Sequence, residues 1–270
     1  MTHLSRDRAT GTGATYVFAV CRGTRAVNTG DVTGLAGMPG GAAIRLLSSG
    51  PLTAVVQTVL AADFTDEVWQ ERLSDRQGIE AYARAHHEVV SAAAAHGPAV
   101  PLPLATLYHD DDRVRRALDD EAHRFHSVLK RIAHHAEWGV KVYKPDASSA
   151  PEEREPAPSG SIVREGNATG AGLAYLNRRR GVRERREQAL SVAESVDAEL
   201  RALAAASRRL RTHGVVPGGE GRAHVLNATY LVAEQRATEL ESLVRALGER
   251  TGTRIELTGP WVPYSFVGEG

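Results

Sequence analysis

The sequence has little of what several common kinds of site require. It contains a single cysteine, Cys21, so neither an intramolecular disulfide nor a CxxC metal site can form. Aromatic residues make up 5% of the 270 residues, and lysine plus arginine equals aspartate plus glutamate at 33 each. Because the net charge is zero, no global field directs the chain to nucleic acid or anionic lipid. We therefore expect partners to be recognised by local surfaces.

Long apolar segments are also missing. The first ten residues lack the apolar core of a signal peptide, and no run of about 18 apolar residues occurs that could cross a bilayer. These absences predict a soluble, cytoplasmic protein with no membrane partner.

Motifs for catalysis are not found either. The sequence has no GxSxG elbow and no Walker or Rossmann glycine pattern. His123 and His126 have an i, i+3 spacing that two metal ligands can share, but two ligands do not make a site, and His86 falls on the apolar stripe of its helix. We interpret these histidines as core or capping residues, and the acids at 110–112 as helix caps. No catalytic, metal, cofactor or small-molecule substrate site is expected.

The first half of the chain alternates strand and helix patterns. Residues 15–21 predict a buried strand, and residues 42–47 and 52–60 predict a hairpin. Residues 63–74 read as a linking segment with about one helical turn. A helix whose apolar positions run from Ile79 to Ala93 ends at Gly97-Pro98, followed by a strand at 100–108 and one helix at 112–135. Residues 15–136 therefore predict an α+β domain.

The second half predicts a different domain, over residues 137–270. After a strand at 138–143, residues 144–170 are too polar and proline-rich to bury a core, so we expect a flexible insertion. A long helix at 171–210 carries a heptad-like apolar seam. A strand at 223–232, a helix at 237–247 and a strand at 254–257, ended by Gly259-Pro260, complete the skeleton of a ferredoxin-like sandwich. Residues 211–216 are the candidate for its remaining strand.

The start of the long helix carries a dense basic face. Arg178, Arg179, Arg183 and Arg186 occupy neighbouring turns without matching acids. Such a face could bind a phosphate backbone, but the strands lack the paired aromatic pattern of RNA-binding sheets. We interpret it as a protein-binding surface, with contact to an acidic partner as the expected role and a merely solvated surface as the alternative.

The chain ends in an aromatic tail. Trp261, Tyr264 and Phe266 lie in a short segment with two prolines, although aromatics are scarce elsewhere. Such a tail either completes the fold or presents a contact surface. We predict a structural role, with Trp261 and Phe266 buried and the Tyr264 hydroxyl at the rim.

Several short motifs occur along the chain in a recognisable order. They are Ala85-His86-His87-Glu88-Val89-Val90, Val100-Pro101-Leu102-Pro103-Leu104 leading to Thr106-Leu107-Tyr108, Glu137-Trp138-Gly139-Val140-Lys141-Val142-Tyr143, Ala174-Tyr175-Leu176, Leu226-Asn227-Ala228-Thr229-Tyr230-Leu231-Val232, and Leu257-Thr258-Gly259-Pro260-Trp261 with Pro263-Tyr264-Ser265-Phe266. Together these motifs resemble the gas vesicle protein family GvpL/GvpF. Pro103 and Ala105 depart from it, since they stand where the family is expected to have an arginine-like residue and a glycine, and the proline-rich insertion is longer than the family leads us to expect.

The resemblance implies a function that composition and spacing do not. It implies a non-enzymatic accessory protein of gas vesicle assembly, with an α+β N-terminal domain and a modified ferredoxin-like C-terminal domain. The implied partners are the small, very hydrophobic shell protein GvpA and other Gvp accessory proteins, and the implied location is the gas vesicle. The alternative is an enzyme or nucleic-acid binder on the same fold, which would carry bound metal or nucleotide when purified.

Overall fold

The computed structural model of the protein describes residues 13–23, 29–143, 168–211 and 224–268. Most of the predicted insertion, residues 144–167, lies outside the described residues, whereas 168–170 belong to a helix. The chain divides into two compact units, Met1–Glu137 with Pro260–Gly270, and Trp138–Gly259. The first unit is thus built from both ends of the chain.

Unit 1 is an antiparallel sheet with helices. The sheet has the order β2-β3-β1-β4, and β5 also pairs with β1. The elements are β1 (Gly13–Arg22), α1 (Thr29–Thr33), β2 (Arg45–Ser49), β3 (Leu52–Leu60), α2 (Asp66–Ser74), α3 (Arg76–Ala94), β4 (Ala99–Pro101), β5 (Leu107–Tyr108), α4 (Asp111–Asp120) and α5 (Ala122–Ile132).

Strand β1 is buried on both faces, which explains its continuous apolar sequence. Tyr16 and Phe18 pack in one core cluster with α3, and Val17 and Val20 pack in a second cluster with α4 and α5. The pairing of β1 with β3 shifts between Val17 and Ala19, so a bulge lies at Phe18. Unit 1 therefore has helices on both faces of its sheet.

Two predicted elements of unit 1 are wrong in their extent. The strand expected at 100–108 is two short strands, because Pro101 and Pro103 cannot donate to a ladder and Ala105 has a φ of 64°. The helix expected at 112–135 is two helices that meet at Glu121, whose ψ of 13° leaves the helical range. Of the acids at 110–112, Asp110 acts as the predicted cap, since its carboxylate accepts from the Arg113 N–H at 2.8 Å. Asp111 and Asp112 lie in the first turn of α4, and the Asp111 carboxylate accepts from Arg45 instead.

Unit 2 has a four-stranded sheet of order β7-β8-β6-β9. In chain order it runs strand, helix, strand, strand, helix, strand. The buried positions of α6 repeat at three- and four-residue steps, as the seam predicted, and include Ala189, Ala193, Val196, Leu200 and Leu203. The elements are β6 (His135–Tyr143), α6 (Ala168–Leu203), β7 (Ala206–Arg209), β8 (His224–Ala233), α7 (Ala237–Thr251) and β9 (Ile255–Trp261).

Three expectations for unit 2 need correction. The long helix ends at Leu203 and not at 210, and the missing strand is Ala206–Arg209, not 211–216. Of the latter range the structure describes only Arg211, which is not in a strand. Gly259-Pro260 does not end the last strand, which continues to Trp261. Because β9 is at the sheet edge, the missing N–H of Pro260 costs no ladder bond on its outer side.

Among the described residues, no helix has both the length and the apolarity needed to cross a membrane.

Candidate partner-binding surfaces

The arginine face of α6 lies on an exposed part of the helix. Arg179, Arg183 and Arg186 are all exposed, and their spacing of four and three residues places them on one side of α6. The Arg183 Nε lies 2.8 Å from Glu187 Oε1, so this arginine does have an acid on its own helix, contrary to the expectation. The side chain of Arg178 lies outside the described part of the chain.

The aromatic tail packs on unit 1, and its aromatic residues differ in how deeply they are buried. Phe266 is 7% exposed, which agrees with the predicted burial. Trp261 is 48% exposed, so the prediction that it is buried is wrong. Trp261 is the last residue of an edge strand, and its ring makes an edge contact with His87 at 5.7 Å. Val262 and Tyr264, which follow, pack against the core cluster that contains Tyr16.

A buried carboxylate fastens the tail. Glu137 is 6% exposed, and it accepts from the Ser265 N–H at 2.8 Å and from the Ser265 hydroxyl at 2.5 Å. Arg131 also donates to the Phe266 carbonyl. Hydrogen bonds to a charged acceptor are stronger than neutral ones. These bonds and the burial of Phe266 explain why a segment at the chain end belongs to the first unit.

The rings around α3 form a continuous series, which we call the aromatic row. Tyr264 lies against His86 at 6.4 Å, Tyr16 against His86 at 5.8 Å, and Phe64 against Tyr16 at 5.7 Å. Its members, from one end to the other, are Trp261, His87, Tyr264, His86, Tyr16, Phe64, Trp69 and Tyr82. The middle of the row is buried, while Trp261 at one end and Trp69 at the other reach solvent.

Arg72 joins the rings at the second end of the row. Its guanidinium carbon lies 4.5 Å from the centre of the Tyr82 ring, 5.8 Å from that of Phe64 and 6.0 Å from that of Trp69. These distances are within the range of cation–π attraction. The segment at 63–74, which was expected to be a link with about one helical turn, therefore contains helix α2 and an aromatic cluster that sequence analysis missed. The sequence did carry a signal, because Phe64 and Trp69 lie close together in a chain poor in aromatic residues and Arg72 follows them.

His86 is a core residue. It is 3% exposed, and its Nδ1 lies 2.8 Å from the Tyr16 hydroxyl, which also accepts from the Ala105 N–H. Burial, with a smaller contribution from His87, lowers the pKa of His86 to about 4. Burial likewise raises the pKa of Cys21 to about 12, so this thiol behaves as a small apolar group. In the described part of the chain, no group of three or more metal-ligating side chains is found.

Comparison with known proteins decides the family. A sequence model described as "Gas vesicle synthesis protein GvpL/GvpF" matches residues 14–268. The chain belongs to the GvpL/GvpF family. It is 38% identical to gas vesicle protein L of Streptomyces sp. (strain CB03234), over 94% of this chain and 92% of that protein. It is 25% identical to gas vesicle protein F of the same strain, over 94% and 99% of the two chains.

Solved GvpF structures have the same fold. The crystal structure of GvpF from Anabaena sp. PCC7120 aligns with a TM-score of 0.63 at 13% identity, covering 96% of this chain and 98% of that one. GvpF from Microcystis aeruginosa aligns with a TM-score of 0.62 at 13% identity, covering 95% and 99%. GvpL/GvpF is a family of gas vesicle proteins.

Proposed function

We propose that this protein is an assembly factor that binds the hydrophobic shell protein GvpA during nucleation or growth of the gas vesicle. Its family membership supports a gas vesicle role. The observation that carries the finer proposal is the exposure of three large apolar side chains of unit 1, Leu60, Leu73 and Trp261. We propose that it acts at the vesicle in the cytoplasm, without catalysis and without a nucleic-acid or small-molecule partner.

The exposed apolar side chains of unit 1 suit a hydrophobic partner. Leu60 is 52% exposed, Leu73 is 53% exposed and Trp261 is 48% exposed. Isolated exposed apolar side chains are common on protein surfaces. Tryptophan, however, is enriched among the residues that dominate binding energy, so Trp261 is the strongest anchor of the three. A very hydrophobic shell protein would cover such side chains while it is still outside the vesicle wall.

Binding to GvpA tests this proposal. In a pull-down with GvpA from detergent-free lysate, Trp261→Ala combined with Leu73→Ser should reduce capture at least about tenfold, since it removes two exposed anchors. Leu190→Ser, which removes an exposed leucine of unit 2, is the matched control and should have no effect. All variants should keep the wild-type melting temperature. Equal capture by the double variant and the wild type would exclude this surface as the GvpA site.

We further propose that the arginine face of α6 binds an acidic Gvp accessory protein. Its support is the exposure of Arg179, Arg183 and Arg186 on one side of the helix. Reversing Arg179 and Arg186 to Glu should weaken binding to such a partner at low salt, and the difference should shrink as salt is added. Arg113→Glu in unit 1 is the control. Binding that is the same in the reversed variant and the wild type at low salt would leave the face a solvated surface.

The classification can be proposed more finely as well. The strand order of unit 2 supports a modified ferredoxin-like fold, and the contacts of unit 1 support a domain near 15–136 that also takes in the tail.

The higher identity to protein L than to protein F, 38% against 25%, supports an L-type role. In a host that makes gas vesicles, the gene should then restore vesicles to a strain without L and not to one without F. Rescue of the F-deficient strain alone would overturn the L assignment.

A further inference from the structure

One surface cleft of unit 1 is lined by two cations, Arg22 and Lys130, that have no acidic partner among the described residues. It is an open cleft of about 460 Å³, within the usual range of ligand sites. Arg22 at the end of β1, Lys130 on α5, and the histidines His96 and His134 line it, and the described part of its lining includes no aspartate or glutamate. It belongs to neither the aromatic row nor the arginine face of α6.

Ion pairing differs between these side chains and several other bases of the protein. Many arginines of the described chain contact a carboxylate, as Arg45 does with Asp111 and Arg209 does with Asp197. By contrast, the side chains of Arg22, Lys130 and His134 make no hydrogen bond or ion pair with any residue that the structure describes. In a chain with equal numbers of acids and bases, two unmatched cationic side chains at one cleft, Arg22 and Lys130, form a local positive site.

The floor of the cleft is apolar. Pro98, Leu129 and Ala133 contribute to it, and Leu129 is only 1% exposed. A ligand that fills the cleft therefore needs apolar groups as well as negative charge. Highly hydrated anions do not meet the first requirement, because they gain nothing from covering apolar surface.

The helix ends at the cleft also argue against a phosphate. Helix α3 ends at Ala94 and α5 ends at Ile132, just before the lining residues at 96–98 and at 133–134. A helix C-terminus carries about half a negative charge and offers carbonyls, whereas phosphate sites use the N–H groups of a helix N-terminus. The partial negative charge of the two helix C-termini repels a dianion more strongly than it repels a singly charged carboxylate, and carboxylates can each face a separate cation.

We propose that this cleft binds an acidic peptide segment with apolar side chains between its carboxylates. Arg22 comes from β1 and Lys130 from α5, so the two cations suit carboxylates spaced along a peptide. Apolar side chains of the segment would cover Pro98, Leu129 and Ala133. The attraction steers the acidic segment to the cleft, and the apolar floor selects among acidic segments.

Short labelled peptides test this with the full-length protein. The probe is a seven-residue peptide of alternating Glu and Leu, measured by fluorescence anisotropy, and the comparison peptides alternate Glu with Ser and Lys with Leu. We expect the Glu/Leu peptide to bind at least about tenfold more tightly than either, and more weakly as salt is raised. Equal binding of the Lys/Leu peptide, or displacement by millimolar inorganic phosphate, would overturn the proposal.

Variants then locate the site. Arg22→Glu with Lys130→Glu should weaken binding of the Glu/Leu peptide about tenfold or more, and Lys130→Gln alone should weaken it by a smaller factor. Arg116→Glu, an exposed change outside the cleft lining, should leave it unchanged. Circular dichroism checks that each variant is folded. An effect of the cleft variants no larger than that of Arg116→Glu would place the peptide elsewhere and refute the proposal.

Discussion

Single residues of unit 1 are held in costly states that have structural reasons. Ala105 has a φ of 64°, a left-handed conformation that costs a residue with a Cβ about 1 to 2 kcal/mol. The Ala105 N–H donates to the Tyr16 hydroxyl at 3.2 Å, and this bond helps to hold the conformation. The family resemblance led us to expect a glycine at this position, and the backbone angle gives the physical reason.

We therefore predict that Ala105→Gly stabilises the protein. Glycine adopts positive φ without a steric penalty, so the free energy of unfolding should rise by about 0.5 to 1 kcal/mol, even after the added entropy of the unfolded chain. Ala83→Gly, at an exposed position in the middle of α3, is the control and should lower it by a similar amount. Urea denaturation of both variants measures the two changes, and a loss of stability in Ala105→Gly would contradict this prediction.

Buried His86 should make unit 1 sensitive to mild acid. Its pKa is lowered to about 4 in the folded chain, whereas an unfolded histidine titrates near pH 6.5. Between these pH values the unfolded state binds a proton that the folded state does not. The free energy of unfolding should therefore fall by about 3 kcal/mol as the pH falls from 6.5 to 4.

Denaturation at a series of pH values checks this. His86→Gln should flatten the dependence over this range, because glutamine does not titrate, while His123→Gln at an exposed site should retain it. If the wild type and His86→Gln lose stability in parallel as the pH falls, the buried imidazole is not the cause.

Whole elements could be predicted where one residue pattern dominates. The β-rich run at 52–60 gave a strand that is buried on both faces. The apolar spacing in α3 and α7 gave helices of the correct type, since each helix buries one regular face. Segment ends were predicted less well. Local propensity allows residues 204–210 to continue α6, but Arg209 forms a bond across space that a sequence pattern does not reveal.

That bond belongs to a network around Asp197, which is 2% exposed on α6. Its carboxylate accepts from the Tyr230 hydroxyl on β8 at 2.6 Å and from the Arg209 guanidinium on β7 at 2.6 Å. Burial alone would raise the pKa of Asp197, but these hydrogen bonds and the charges of Arg209 and Arg201 outweigh burial and lower it. The network fixes β7 as a strand against α6.

We predict that Asp197→Ala strongly destabilises unit 2. It leaves the buried Tyr230 hydroxyl without its acceptor, which alone costs roughly 1 to 3 kcal/mol, and it leaves Arg209 unpaired. Since the pKa of Asp197 is lowered in the folded state, its contribution is present above pH 4 and is lost as the pH falls further. Denaturation at pH 7 and pH 3 should therefore show a larger gap between variant and wild type at pH 7. Glu239→Ala, which breaks an exposed ion pair with Arg236, is the control and should change the free energy of unfolding little. An equal loss of stability in the two variants would contradict a special role for Asp197.

At the scale of the whole molecule, sequence analysis placed the tail in the second domain because it follows that domain's last strand. The contacts place Pro260–Gly270 with the first unit instead. Chain order does not reveal this, because the partners of the tail, Glu137 and Arg131, lie more than 120 positions earlier. The candidate surfaces were also predictable only where their residues are close in the chain. The arginine face and the aromatic tail are each contained in one short segment, whereas the aromatic row and the cleft combine residues from distant segments.

The discontinuity of unit 1 leads to a prediction about fragments. Residues 1–137 alone lack the tail, so the surfaces that cover Phe266 and Tyr264 would face water and Glu137 would lose the Ser265 donors. Removing a buried phenylalanine side chain alone costs about 3 to 5 kcal/mol, which is a large part of the stability of a small domain. We expect this fragment to aggregate or to unfold without a cooperative transition.

A joined fragment provides the control. The contacts of Tyr143 with Arg254 and of Gly139 with Thr258 show that β6 and β9 run antiparallel, so Glu137 and Pro260 lie nearly opposite each other. A short Gly/Ser linker can therefore connect residues 1–137 to residues 260–270. This joined fragment should be monomeric by size-exclusion chromatography and should melt cooperatively, and Phe266→Ala within it should lower the melting temperature much more than Trp261→Ala. Cooperative melting of residues 1–137 at the same temperature as the joined fragment would show that the tail only lies on a domain already complete without it.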